Sequence, residues 1–205
     1  MEITISGKTF KALQKFCCDK WESRAVLQEI AVRDNCLYAT DSYIVARVGR
    51  LEKSENATLL VNPLVKYTTN AKDKLVITDT KTTIYHEDTE DIKAEFLHVP
   101  EKDGQKYPDV EPIFDGMVFG TGEICVFNIA YLTKCQKLCA ARTHDPYLGN
   151  DWIRNGKNAT GWDRDTLYLR FGVKENERNG GTYINLAQVK ACDVKCMVMA
   201  LRVDY

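Results

Sequence analysis

The side chains able to do chemistry are spread along the chain rather than gathered. The three histidines, His86, His98 and His144, lie far apart in sequence. No Gly-rich phosphate loop and no nucleophile elbow accompanies them. Asp79, Glu87, Asp88 and Glu90 crowd one hairpin and could hold a divalent cation, but such a cluster also reads as a solvated acidic turn, the reading adopted here. The eight cysteines, Cys17, Cys18, Cys36, Cys125, Cys135, Cys139, Cys192 and Cys196, include no C-x-x-C pair and no adjacent histidine to complete a zinc set. Cys135 and Cys139, at i,i+4 spacing on a helix, are the pair with ligand-like geometry. All eight sit mostly inside apolar patterns, which suits reduced core thiols. The expectation is a protein without catalysis, metal or cofactor.

Charge points elsewhere. A formal net charge of −1 excludes a histone-like bulk binder of nucleic acid, yet it leaves room for basic residues concentrated on one face. Three stretches of helical spacing carry such residues: Lys8, Lys11 and Lys15 in the first, Lys66 and Lys72 in the second, Lys134, Lys137 and Arg142 in the third. Apart from Asp19 near the end of the first, these stretches hold no acidic residue, in a chain with 29 Asp and Glu. Solvated lysine faces would explain any one of them. The bias shared by all three favours a surface that meets phosphate.

The elements that must position these residues recur in order. The strand "EITISG" precedes the helix "KTFKALQKFCCDK", which places Phe10, Leu13 and Cys17 on one face. "AVLQEIAVRD", "CLYATD" and "YIVARVGR" follow as strands between Asn, Asp and Ser turn signals. The order repeats as "ATLLV", the helix "NPLVKYTTNAK" with Asn62 as cap and Pro63 at its first position, then "KLVITD", "TTIYHED" and "DIKAEFLHV". A third copy runs from "EICVF" through "NIAYLTKCQKLCAAR", with Asn128 as cap, to "DTLYLRFGV", "GTYINLAQV" and "VKCMVMALRVDY". A polar insertion spans 143–165, and "PEKDGQKYPDVEPIFDG" links the second and third copies. The fold class expected is α+β, three βαβββ units with helices on one face of antiparallel sheets. The first two units form one domain, 1–115, and the third a single unit, 116–205. No apolar run reaches membrane-spanning length, and "MEITISGKTF" lacks the apolar core of a signal peptide, so the chain is read as cytoplasmic.

Four stretches resemble the bacterial sliding clamp, the beta subunit of DNA polymerase III. "LYATDSYIVARV" looks like the A-T-D-G-H-R-L-A hairpin of the clamp's middle domain. "DGQKYPDVEPIF" is similar to its D-G-R-F-P-D-Y linker, "EICVFNIAYLTKCQKL" to the strand and F-N-x-x-Y-L helix of its last domain, and "CMVMALRVDY" to its terminal V-M-P-M-R-L strand. The matches follow the family's order across nearly the whole chain, as a middle domain plus the second half of the last. Ser42-Tyr43-Ile44 stands where the family has Gly-His-Arg, Ala200-Leu201 where it has Pro-Met, and Asp204 and Tyr205 extend past its usual end.

The resemblance implies a DNA polymerase processivity factor: a DNA-clamp-like protein that binds duplex DNA without sequence preference and docks short peptides from a replicative polymerase or other partners. By position it carries over a peptide groove of Leu27, Thr40, Ser42, Tyr43, Ile44, Val45, Pro108, Val110, Met197, Val198, Met199, Leu201 and Arg202. The family's rings hold twelve βαβββ units, so three per chain would need four chains, and tetramer, dimer and monomer all stay open. The alternative is a non-ring clamp relative from a mobile element that sequesters clamp-binding peptides.

Overall fold

The computed structural model describes residues 2–21, 23–52, 57–87, 89–101, 105–114, 118–119, 127–148, 168–176 and 182–199. Within them the expected order appears three times. The first unit comprises β1 (Glu2–Ser6), α1 (Gly7–Gln14), β2 (Ala31–Arg33), β3 (Cys36–Thr40) and β4 (Ile44–Gly49). The second comprises β5 (Leu59–Leu60), α2 (Leu64–Thr68), β6 (Lys74–Thr78), β7 (Lys81–Tyr85) and β8 (Ile92–Leu97). After β9 (Val99–Pro100) and the short α3 (Glu111–Phe114), the third comprises β10 (Val118–Phe119), α4 (Ile129–Thr143), β11 (Tyr168–Asn176), β12 (Thr182–Ala191) and β13 (Val194–Met199). The fold is α+β with antiparallel sheets.

Local chemistry explains most boundaries. Ser6 accepts a hydrogen bond from the Thr9 N–H at 3.3 Å and starts α1; Asn128 accepts from the Ala130 N–H at 2.9 Å and starts α4; Asn62 accepts from the Leu64 N–H at 3.0 Å at the head of α2. Each satisfies a donor that a helix start leaves orphaned. The β2–β3 hairpin turns on Asp34 and Asn35, with φ of 52° and 58°. Positive φ at both central positions is what a two-residue turn needs to match strand twist, and Asp and Asn tolerate it.

Three expectations need correction. The first helix ends at Gln14 rather than running on to residue 20, because Phe16 and Cys17 bond to Leu13 and Gln14 at i−3 and tighten the last turn. "AVLQ" is a 3₁₀ turn, Ala25–Gln28, which tucks Val26 and Leu27 inward before the strand begins at Ala31. The second helix spans Leu64–Thr68 rather than running to residue 72, so Lys72 lies beyond it. Most of "EICVF", 123–126, lies outside the described residues, as does most of the 143–165 insertion.

Pairing crosses unit boundaries. β1 leaves its own unit to pair with β6, giving a four-stranded sheet β1-β6-β7-β8, while β5 pairs with β2 in return. Each of the first two units therefore completes the other's sheet. The third unit keeps its first strand, β10, beside its own β11, and joins the others by pairing β13 with β4. The result is a nine-stranded sheet, β10-β11-β12-β13-β4-β3-β2-β5-β9.

Two apolar layers follow from strand alternation. On one side Ile3, Ile5, Leu75, Ile77 and Ile84 of the smaller sheet, and Leu37, Ile44, Ala46, Val48, Cys196 and Val198 of the larger, meet Phe10, Leu13, Val65, Cys135, Leu138 and Cys139 of the three main helices. On the other side Tyr38, Val45 and Met197 are covered by Tyr107, Val110 and Phe114, with Val26 and Leu27 at the 3₁₀ turn. Full burial of each large apolar side chain is worth about 1.5–3 kcal/mol. The seven described cysteines are free thiols.

An ionic cluster ties the third unit to the first. Arg142, 5% exposed, donates to Asp193 from Nε at 3.0 Å and from Nη2 at 2.8 Å, and to the Thr4 carbonyl from Nη1 at 3.1 Å. Asp145 lies 3.5 Å from the same guanidinium and accepts from the Ser6 N–H at 2.8 Å and the Thr9 hydroxyl at 2.6 Å. Removing one partner of such a buried set leaves charge without compensation. Arg142→Met should lower unfolding free energy by about 3–5 kcal/mol in urea titration, against under about 1 kcal/mol for Lys72→Met, whose pair with Glu87 is exposed.

His98 follows β8 and accepts or donates a 3.0 Å hydrogen bond between its Nε2 and the Thr82 hydroxyl. Burial pushes its pKa down to about 4. The unfolded chain protonates this imidazole near 6.5 while the fold holds it neutral, so stability is full above pH 6.5 and falls as the pH drops from there to 4. Thermal melts across that window should show a slope that His98→Gln reduces.

Candidate interface at the β3–β4 hairpin and the helix layer

The hairpin tip is built by its own side chains. Thr40 Oγ1 donates to the Ile44 carbonyl at 2.8 Å, and the Asp41 carboxylate accepts from the Tyr43 and Ile44 N–H groups, each at 3.0 Å. The Ser42 N–H donates to Thr40 Oγ1 at 3.1 Å, and Ser42 takes φ of 81°. The turn is thus fixed without Gly, and it lifts Tyr43 into solvent at 59% exposure.

The C-terminal strand lies alongside. Met197 pairs with Val45 and Val198 with Ile44, and the Met199 N–H donates to the Tyr43 carbonyl at 2.9 Å. The hairpin and the terminal strand meet, but strand alternation divides the expected groove residues between two faces. Leu27, Val45, Val110 and Met197 share one layer, with Met199 half-buried at its margin. Ile44 and Val198 point the other way, into the helix-side core. They are therefore not groove-lining residues, which corrects the expectation. Thr40 is buried in the turn, Ser42 and Pro108 are exposed, and Leu201 and Arg202 lie outside the described residues.

The layer at Val45 and Met197 is also occupied. Tyr107, Val110 and Phe114, from the segment between the second and third units, pack onto it. Polar contacts hold that segment down: Glu111 accepts from the Tyr38 hydroxyl at 2.8 Å and from Arg47 Nη1 at 2.6 Å, Asp109 accepts from Arg33 Nη2 at 2.9 Å, and the Tyr107 N–H donates to Glu101 at 2.6 Å. Sequence reading overlooked Tyr38, Arg47 and Glu111. Their signal was an aromatic and a cation both directed to one face of adjacent strands, with a carboxylate of the linker to meet them. Burial pushes the Tyr38 and Tyr107 phenols up and the Cys36 thiol up to about 12. All three stay protonated, unsuited to act as base or nucleophile.

The helix layer sorts the basic residues. Lys8, Lys11 and Lys15 are exposed on or just beyond α1 and Lys137 on α4; neither helix contains an acidic residue, and the two helices pack together. Lys66 is engaged by Glu29 at 3.3 Å, Lys72 by Glu87 at 3.0 Å and Lys134 by Asp41 at 3.6 Å. Arg142 is a correction: it is buried in the Asp193 cluster and cannot face a ligand. His86 and His144 are exposed on separate elements. Among the described residues no group of three or more His, Cys, Asp or Glu is arranged to hold a metal ion, and no helix is long and apolar enough to cross a membrane.

No family model matches the sequence, and none of the curated proteins does. Solved structures do. The likeness is to sliding clamps. The DNA polymerase III beta chain of Streptococcus pneumoniae is 12% identical, with a TM-score of 0.44, covering 99% of this chain and 65% of that one. The beta subunit from Thermotoga maritima gives 10%, 0.40, 100% and 65%. The sliding clamp from Pseudomonas aeruginosa bound to griselimycin gives 13%, 0.41, 99% and 66%. The chain spans about two thirds of the length of these structures. Likenesses at this level assign no residue a role.

The linker's hold on the sheet has a measurable consequence. Glu111→Gln leaves the Arg47 guanidinium, 6% exposed, without its counter-ion and should cost about 3–5 kcal/mol in denaturant titration. Asp109→Asn, which removes an exposed pair, should cost under about 1 kcal/mol.

Proposed function

We propose that this chain is a DNA polymerase processivity factor of the sliding-clamp kind, acting without catalysis. It holds duplex DNA through the lysines of α1 and α4 and docks a partner peptide where Tyr43 and Met199 edge the hairpin. The observation that carries the reading is the helix layer. Lys8, Lys11, Lys15 and Lys137 project from two packed helices that contain no acid, and no ion pair joins any of them to another described residue. An ammonium on a flexible stem meets phosphate as a mobile point charge and reads no base edge. A protein that must travel along duplex needs that kind of contact.

Residues 1–115 serve in this reading as one clamp domain, since β1 and β5 are exchanged between its two units; residues 116–205 continue its sheet through β13. The number of chains that act together is a separate question, answered by size-exclusion chromatography with light scattering. A monomer at every concentration would favour the sequestering alternative over a ring.

Replacing Lys8, Lys11 and Lys137 by glutamate should weaken duplex binding equally across sequences. It should also flatten the dependence of log K on log salt by about 0.9 for each phosphate no longer neutralised. Undetectable duplex binding by the unmodified chain at low salt would refute the reading. For the peptide site, Tyr43→Ala with Met199→Ala is the informative pair, because Ile44 belongs to the interior. Loss of clamp-motif peptide binding with duplex affinity retained is the expected result.

A further inference from the structure

A second basic region differs in kind from the helix face. Between the loop after α1, the hairpin tip, α2 and the start of α4 lies an open cleft of about 970 Å³. Lys15, Lys20, Lys66 and Lys134 line it, beside two carboxylates, Asp19 and Asp41. Lys66 also pairs with Glu29 at 3.3 Å and Lys134 with Asp41 at 3.6 Å, so Lys15 and Lys20 are the cations that an incoming phosphate meets first. The aromatic content sets it apart. Trp21 stands 85% exposed, Tyr67 78% and Tyr43 59%, and all three border the cleft together with the half-buried Tyr131. Rings of this size left in water forgo burial free energy. They also alternate with the cations: Lys20 Nζ lies 4.8 Å from the centre of the Trp21 ring, Lys66 5.2 Å from Tyr67 and Lys134 5.1 Å from Tyr131.

The loop that carries Trp21 is positioned rather than free. The Cys18 N–H donates to the Leu27 carbonyl at 2.8 Å, and Arg24 Nη2 donates to Ser42 Oγ at 2.8 Å, fastening the loop to the hairpin tip.

We infer that this cleft binds single-stranded nucleic acid, with the lysines along the phosphates and bases stacked on Trp21 and Tyr67. Duplex fits it poorly, because the faces of paired bases are covered by their neighbours, leaving the rings nothing to stack on. Phosphate alone would leave the aromatics unexplained. Interleaved cations and exposed rings match a strand whose bases are unpaired, since every base offers a π-face whatever its identity. An acidic peptide would satisfy the lysines, but its apolar anchors need a concave floor, and here the apolar surface is exposed rings at the margin.

The test uses the full chain and fluorescence anisotropy with four probes: oligothymidylate, an abasic phosphodiester strand of equal length, a blunt duplex and a polyglutamate peptide. Trp21→Ala with Tyr67→Ala, both exposed positions, should weaken oligothymidylate binding by at least about tenfold and change duplex binding less than about twofold. The abasic strand should bind the unmodified chain as weakly as oligothymidylate binds the variant. The inference is overturned if the variant keeps the parent's affinity for oligothymidylate, if the abasic strand binds as tightly as the based one, or if polyglutamate displaces oligothymidylate at equal charge. Lys15 borders both regions, but Trp21 and Tyr67 belong to the cleft and not to the helix face. Their replacement tests this inference while the blunt duplex tests the proposed duplex binding, and the two fail independently.

Discussion

The arrangement of the third unit on the first two depends on one buried guanidinium. Arg142 leaves the end of α4 to reach the turn between β12 and β13 through Asp193 and the β1 backbone through the Thr4 carbonyl. Asp145, three residues further on, turns its carboxylate to the start of α1. Two carboxylates and one cation in a dry site would leave a net negative charge. The Ser6 N–H and the Thr9 hydroxyl supply the hydrogen bonds that offset it. Geometry this restrictive admits few alternative placements of α4 against α1, so the relation between the two lysine-bearing helices follows from it.

The β4 strand then serves two masters. Its alternation sends Ile44, Ala46 and Val48 to the helices, and Val45 and Arg47 to the linker side. A sequence change on β4 that suits one face keeps its effect on the other small only while the backbone register holds, and β13 on one flank and β3 on the other secure that register. The proposed peptide site therefore sits on a stiff edge, while the linker segment that covers the neighbouring apolar layer is fastened by polar contacts at Glu111 and Asp109.

Much of this was legible in the sequence, and the reasons are specific. The threefold βαβββ order could be read because apolar period changes sharply at Ser6, Asn62 and Asn128, each a capping residue. The juxtaposition of the Thr40–Val45 hairpin with Met197–Met199 came from resemblance, since nothing local relates segments so far apart. Period-2 alternation tells which face a residue takes but not which strand is its neighbour, so the exchange of β1 and β5 was hidden. Arg142 was misread for a related reason: it was grouped with Lys134 and Lys137 as a basic residue on a helical stretch without acids, and only tertiary packing reveals that the last turn of that helix is inside. The aromatic cleft was missed because Trp21, Tyr43, Tyr67 and Tyr131 belong to four different elements.

The placement of β4 also bears on the order of events when the chain is made. Its hydrogen-bonding edge faces β13, a partner about 150 residues later in the chain, so contacts of high sequence separation close late and fold slowly. Throughout synthesis the first two units can trade β1 and β5 and complete their mutual core, while that edge still awaits its partner. An unpaired strand edge of this kind invites pairing with other chains. The nascent protein is thus most exposed to misassembly in the interval before Met199 leaves the ribosome.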